Sequence, residues 1–109
     1  MSVLRSRPRV RIPSRARAGE VIEIRMVIDH PMSTGIRHGD AEPPPRDMLS
    51  RLVVTMNGAP LFEAELRNGT SPNPYHVIHV RIDRTSDFVF AWTDEEGRSA
   101  RAEARVTVG

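Results

Sequence analysis

The chain has 109 residues, of which 39% are hydrophobic and 28% charged, a balance that supports one modest core and excludes a disordered polyelectrolyte. It contains no cysteine, so a disulfide framework, a thiolate zinc site, an iron–sulfur cluster and a cysteine nucleophile are all excluded from this chain, and no apolar run approaches the roughly 18 to 20 residues of a membrane-spanning helix. The formal charge of +2 conceals an asymmetry, because all 16 basic residues are arginine and Arg5, Arg7, Arg9, Arg11, Arg15 and Arg17 precede the first acid, Glu20.

Taken in order, residues 1–9 read as an arginine-rich arm that frays unless a partner holds it; this stretch lacks the apolar segment of about 7 to 15 residues that a secretory signal carries. "RVRI" reads as a short strand. "GEVIEIRMVID" is the clearest strand of the chain, with Ile22, Ile24, Met26 and Ile28 on one face and Glu23 and Arg25 on the other, the alternation of a sheet buried on one side only. Residues 29–46 form a long connection with Pro31, Gly35, Gly39, Pro43, Pro44 and Pro45. Connections beyond about 12 to 15 residues in a compact domain are usually functional or disordered, and dense prolines favour an extended, preordered backbone, so this loop reads as one that presents something.

"LVVTMNGAPLFEAEL" is a hairpin signal with Asn57 and Gly58, which tolerate positive φ, in a turn placed between Asn57 and Pro60. "HVIHVRI" is a strand with His76, Ile78, Val80 and Ile82 on one face and His79 on the other. "DFVFAWTDEEGRSARAEARVTVG" reads as a second hairpin, in which Phe88, Phe90 and Trp92 alternate, "DEEG" turns, and alanines return opposite the aromatics. About seven strands and no helix predict an all-β, immunoglobulin-like antiparallel sandwich without its disulfide, as a single domain over 1–109. Ile22, Ile24, Phe88, Phe90 and Trp92 are its expected core.

The chemistry-bearing residues give no enzyme site. His30, His38, Asp40, His76 and His79, with Met26, Met32 and Met56 as soft ligands, are the metal candidates, but His76 and His79 have opposite strand parity and no strong metal motif occurs. Ser33 lies near His30 without a nucleophile elbow and is better suited to a turn. Glu63, Glu65, Glu95 and Glu96 read as solvated faces and turns. The arginine arm has neither interleaved aromatics nor a recognition helix, so nucleic-acid binding is disfavoured.

"VIDHPMSTGIR", a loop ending "PPPRDML", then "MNGAPLFEAEL", "NPYHVIHVRI" and "FVFAWTDEEG" together resemble, in order and spacing over about residues 9 to 108, the SoxZ family of the bacterial sulfur-oxidation carrier complex. The segment "HGDAEPPPRDML" departs from the family's usual Asp-x-x-Gly-x-x-Ile-Pro-Arg, with Arg46 in the matching place. The resemblance implies an immunoglobulin-like sandwich that is not an enzyme and holds no cofactor. It also implies a heterodimer with a SoxY-type subunit, whose cysteine on a glycine-rich arm carries sulfur intermediates past periplasmic enzymes, and export with that partner. It places the partner and carrier-arm surface at His30, Pro31, Met32, Thr34, Gly35, Arg37, Arg46, Asn73 and Tyr75. There Pro31 stops the strand, Gly35 permits a turn, Met32 offers an apolar contact, and His30, Arg37 and Arg46 offer donors. Expressed alone, the chain is expected to be able to cover the same partner surface by homodimerising. A periplasmic copper-binding module and a nucleic-acid accessory domain are the other readings the residues leave open.

Overall fold

The computed structural model describes residues 7–36, 39, 42, 45–68 and 70–109. Its strands are β1 (Pro8–Arg11), β2 (Arg15–Ala16), β3 (Glu20–Ile28), β4 (Leu49–Met56), β5 (Ala59–Glu65), β6 (Tyr75–Ile82), β7 (Ser86–Asp94) and β8 (Ser99–Val108). Among the described residues no helix is long and apolar enough to cross a membrane. One sheet has the order β1-β3-β6 and the other β2-β8-β7-β4-β5. All pairings are antiparallel except that of β2 with β8.

The sheets close on one another because each strand keeps its apolar residues on one side. Ile22, Ile24, Met26 and Ile28 of β3 meet Leu52 and Val54 of β4 and Phe88, Phe90 and Trp92 of β7 in a single buried cluster. Register explains how three large aromatics fit: Phe88, Phe90 and Trp92 stand opposite Ala104, Ala102 and Ala100, so small residues on β8 make room for bulky ones on β7. The five expected core residues are all buried. The result is an immunoglobulin-like β-sandwich.

Seven of the strands are the expected ones. The eighth, β2, has only two residues and pairs in parallel with Thr107 and Val108, too short to show a period. β1 begins at Pro8, within the range expected for the arm, and pairs there with Ile28; residues 1–6 lie outside the described residues. At the first hairpin, Asn57 and Gly58 have φ of 51° and 82°, a two-residue turn. Pro60 already belongs to β5, which is an edge strand, where a missing donor costs nothing. The Asn57 side chain accepts from Asp87 N–H at 2.9 Å and donates to Ser86 Oγ at 3.2 Å, tying the hairpin tip to β7.

One irregularity matters for the site. The β4–β7 register shifts between Leu49 and Arg51, leaving Ser50 as a bulge whose hydroxyl donates to Thr93 O at 3.1 Å. Bulges bend the strand and re-aim its end, and here that end meets the loop that leaves β3.

Candidate partner site at the His-Pro-Met corner

β3 ends at Ile28, and the chain turns through Asp29-His30-Pro31-Met32 at one end of the sandwich. His30 is buried, at 2% exposure, and the corner is built around it. Its backbone N–H donates to Asn73 Oδ1 at 2.9 Å, and its carbonyl accepts from Asn73 N–H at 2.8 Å. Asn73 sits at φ 53°, a conformation asparagine tolerates better than most residues. Pro74 O then accepts from Ile28 N–H at 3.3 Å, so the Asn-Pro segment clamps the corner before β6 begins.

The imidazole is fully engaged. Nδ1 accepts the Met32 N–H at 3.0 Å, which assigns the ring proton to Nε2, and Nε2 lies 3.2 Å from Asp47 Oδ1. Met32 has φ 50°, a left-handed conformation that is costly for a residue without a local polar side chain. Its bond to Nδ1 and its burial hold it there. Beyond it, Ser33 and Asp47 exchange two backbone hydrogen bonds of 2.8 Å each, and Ser33 Oγ accepts from Gly35 N–H at 3.3 Å, the turn role expected of that serine. Gly35 has φ 79°.

Arg46 braces the outer rim. Its Nε and Nη2 donate to the two carboxylate oxygens of Glu95 at 2.7 and 2.9 Å, its Nη1 to Thr34 O at 3.3 Å, and its Nη2 also to Asn68 Oδ1 at 3.0 Å. One guanidinium thus joins the loop after β3, the loop after β5 and the β7–β8 turn. Its hydrogen bonds hold the Glu95 carboxyl below the usual range. Beneath it, Asp94 closes its own turn by accepting from Glu96 N–H and Arg98 N–H at 3.0 and 2.7 Å and from Arg98 Nε at 2.6 Å. Burial pushes the Asp94 carboxyl up, but the hydrogen bonds from Arg98 and Glu96 outweigh it and leave the pKa lowered. Arg98 Nη2 reaches Asp47 Oδ1 at 3.4 Å, which links this turn to His30.

The structure therefore brings His30, Pro31, Met32, Thr34, Gly35, Arg46 and Asn73 together, while Arg37 lies outside the described residues. Tyr75 is exposed on the outer face of β6, opposite Val27. His30 and Met32, expected to offer a donor and an apolar contact, are turned inward, with both imidazole nitrogens bound within the chain. Pro31 and Ile36 are exposed apolar groups of the corner, the latter 60% exposed. Asp47, Asn68 and Arg98 were missed by sequence reasoning, which also read Glu95 only as a turn. The one available signal was Asp94 followed by Gly97 and Arg98, the composition of an Asx-type turn.

Of the metal candidates, Met26 is buried in the core, His79 is exposed near Glu23, and His76 is half-buried with its ring 6.2 Å from that of Phe62. His38 and Asp40 lie outside the described residues. Among the described residues no group of three or more His, Cys, Asp or Glu converges to hold an ion.

A family model described as "Sulphur oxidation protein SoxZ" matches residues 10–105, which span the corner, the Asn-Pro clamp and the β7–β8 turn. The chain belongs to the SoxZ family. No curated protein sequence matches it. Among solved structures, the sulfur carrier protein SoxY from Chlorobium limicola f thiosulfatophilum superposes with a TM-score of 0.66 at 15% identity, covering 94% of this chain and 78% of that one. A superoxide reductase (neelaredoxin) from Ignicoccus hospitalis superposes with a TM-score of 0.73 at 11% identity, covering 94% and 80%. At such identities the likeness is one of fold: one sandwich serves a sulfur carrier, a superoxide reductase and this SoxZ-family chain.

Proposed function

We propose that this chain is the non-catalytic subunit of a sulfur-compound carrier complex. Paired with a cysteine-bearing SoxY-type subunit, it helps present covalently bound sulfur intermediates to periplasmic thiosulfate-oxidising enzymes, and it is exported with that partner. The observation that carries this reading is the SoxZ family match over residues 10–105 in a chain without any cysteine. A protein of the sulfur-oxidation system that cannot form a thioester, persulfide or disulfide of its own needs the carrier thiol from elsewhere.

The corner suits a presenting role better than a reacting one. Its polar groups satisfy one another, so it offers a fixed shape. His30 and Met32 act as internal anchors, and the surface beside the carrier arm is made by Pro31, Thr34, Gly35, Ile36 and the rim of Arg46. A rigid end of this kind holds a mobile arm without competing for its cargo.

The test is co-expression with the SoxY-type subunit of the same host, followed by size-exclusion chromatography and native mass spectrometry. A one-to-one complex is the expected result. Two subunits that elute separately at micromolar concentration, or this chain occurring only as a homodimer in the partner's presence, would contradict it.

A further inference from the structure

The two outer faces of the sandwich use charge differently. On the five-stranded sheet, Arg105 stands opposite Asp87 in register and bonds it at 3.0 Å, Arg101 bonds Glu103 at 2.8 Å, and Arg51 pairs with Glu63. On the three-stranded sheet, Arg11 stands opposite Arg25. Like charges directly opposite across antiparallel strands destabilise the sheet. Arg25 is drawn aside to Glu23 at 3.0 Å and Arg9 to Asp29 at 2.8 Å, but Arg11 makes no ion pair among the described residues. A shallow hollow on this face is lined by Arg9, Arg11, Arg25, Val27 and Tyr75, with no carboxylate in its wall.

Apolar exposure coincides with that hollow. Tyr75 is 54% and Val77 39% exposed. The two outward positions lie in adjacent rows of the sheet, Arg9–Val27–Tyr75 and Arg11–Arg25–Val77. An exposed aromatic beside arginines has the composition of an interface centre. A polyanion such as DNA fits less well, because Arg9 and Arg25 are already paired with Asp29 and Glu23, which leaves Arg11 without a row of unpaired cations beside it for successive phosphates.

We propose that the outer face of the three-stranded sheet is where the carrier subunit docks, through a carboxylate that pairs with Arg11 while an apolar side chain covers Tyr75 and Val77. This rests on the functional reading above and adds to it the face and the chemistry of the partner. The Arg11–Arg25 opposition is then a cost to the isolated chain that the partner's carboxylate relieves. Three strands about 4.8 Å apart make a narrow face. A stable complex of about 800 Å² per side therefore also laps over the edge of β6, one of the two outer strands of that sheet.

The test uses the full chain and the purified SoxY-type subunit of the same host, with affinity measured by calorimetry at about 0.05 M and about 0.5 M salt, on either side of the Debye lengths that matter for surface charge. Arg11→Gln and Tyr75→Ala should each weaken binding about tenfold or more. Arg11→Gln should reduce the salt dependence, and the isolated Arg11→Gln chain should melt at the same temperature or higher. Arg105→Gln, on the opposite face, should bind as the wild type does. If Tyr75→Ala does not fold, Arg11→Gln still decides. Wild-type affinity in Arg11→Gln at both salt concentrations would overturn the face while leaving the functional reading intact. Failure of the wild-type chain to pair at all would overturn both. Binding of duplex DNA that Arg11→Gln abolishes would show a phosphate-reading face instead and overturn the proposal.

Discussion

Arg46 and Arg11 are both exposed arginines, and they differ in what they have left to offer. Arg46 spends its guanidinium on Glu95, Thr34 and Asn68, so the corner around it is a finished shape. Arg11 faces another arginine across the sheet, so its region is a surface with binding capacity unspent. The lesson is that charge alone does not mark a docking site; the number of partners already in place does. A planar, always-charged group fits both tasks, and the register of its neighbours decides between them.

The strongest way to break the distinction is to remove what both regions hang on. Trp92 is fully buried between the sheets, and Trp92→Ala should cost about 3 to 5 kcal/mol, the usual penalty for deleting a large buried aromatic. Urea unfolding should show a much lower midpoint, and corner and face should lose order together. An unchanged midpoint would contradict the packing described.

His30→Ala separates the two regions. It leaves the Met32 N–H and Asp47 without their shared partner and opens a buried site, so a loss of about 2 to 3 kcal/mol is expected by denaturant titration. Tyr75→Ala on the outer face should stay within about 0.5 kcal/mol, as substitutions on an exposed surface usually do. Equal losses for the two would mean that the corner is not the braced region.

Acid should act on the sandwich in two stages. Burial lowers the His76 pKa, so the unfolded chain takes up this proton first. Stability should begin to fall as pH drops through about 6.5, the ordinary histidine value, and stop falling once the folded pKa is passed. His76→Phe should flatten that stage. The lowered pKa of Asp94 gives a second stage: its contribution is complete above the ordinary carboxylate value of about 3.9 and is lost as pH falls through the folded value. Asp94→Asn should remove it. Melting curves from neutral to strongly acid pH check both signs.

Arg46→Ala should have the smallest effect on folding. Exposed ion pairs contribute little, so its melting midpoint should lie close to that of the wild type. Its effect should appear instead in carrier turnover, because the rim of the corner loses its link to Thr34 and Glu95. A large drop in melting temperature would show Arg46 to be a fold determinant rather than a rim residue.

Much of the sandwich was readable from the sequence because strand burial has period two. The alternations Ile22–Ile28 and Phe88–Trp92 placed β3 and β7, and Asn57-Gly58 placed a turn whose φ values only such residues adopt readily. Aromatics opposite alanines followed from the spacing of the second hairpin. β2 was not readable, since two residues carry no period. At the corner, the stop at Pro31 and the turn at Gly35 are local signals. The inward turn of His30 and Met32 is not local, because it depends on Asp47 and Asn73, which lie 17 and 43 residues away from His30. The unused charge of Arg11 is likewise a matter of register across two strands.

In the proposed function this chain serves a thiol it does not possess. The most direct measurement is thiosulfate turnover by the reconstituted oxidising enzymes with the cysteine-bearing subunit alone, with this chain alone, and with both. Turnover is expected only when both are present, with the sulfur adduct found by mass spectrometry on the partner's cysteine and none on this chain. Full turnover with the partner alone, or any covalent sulfur adduct on this chain, would contradict it.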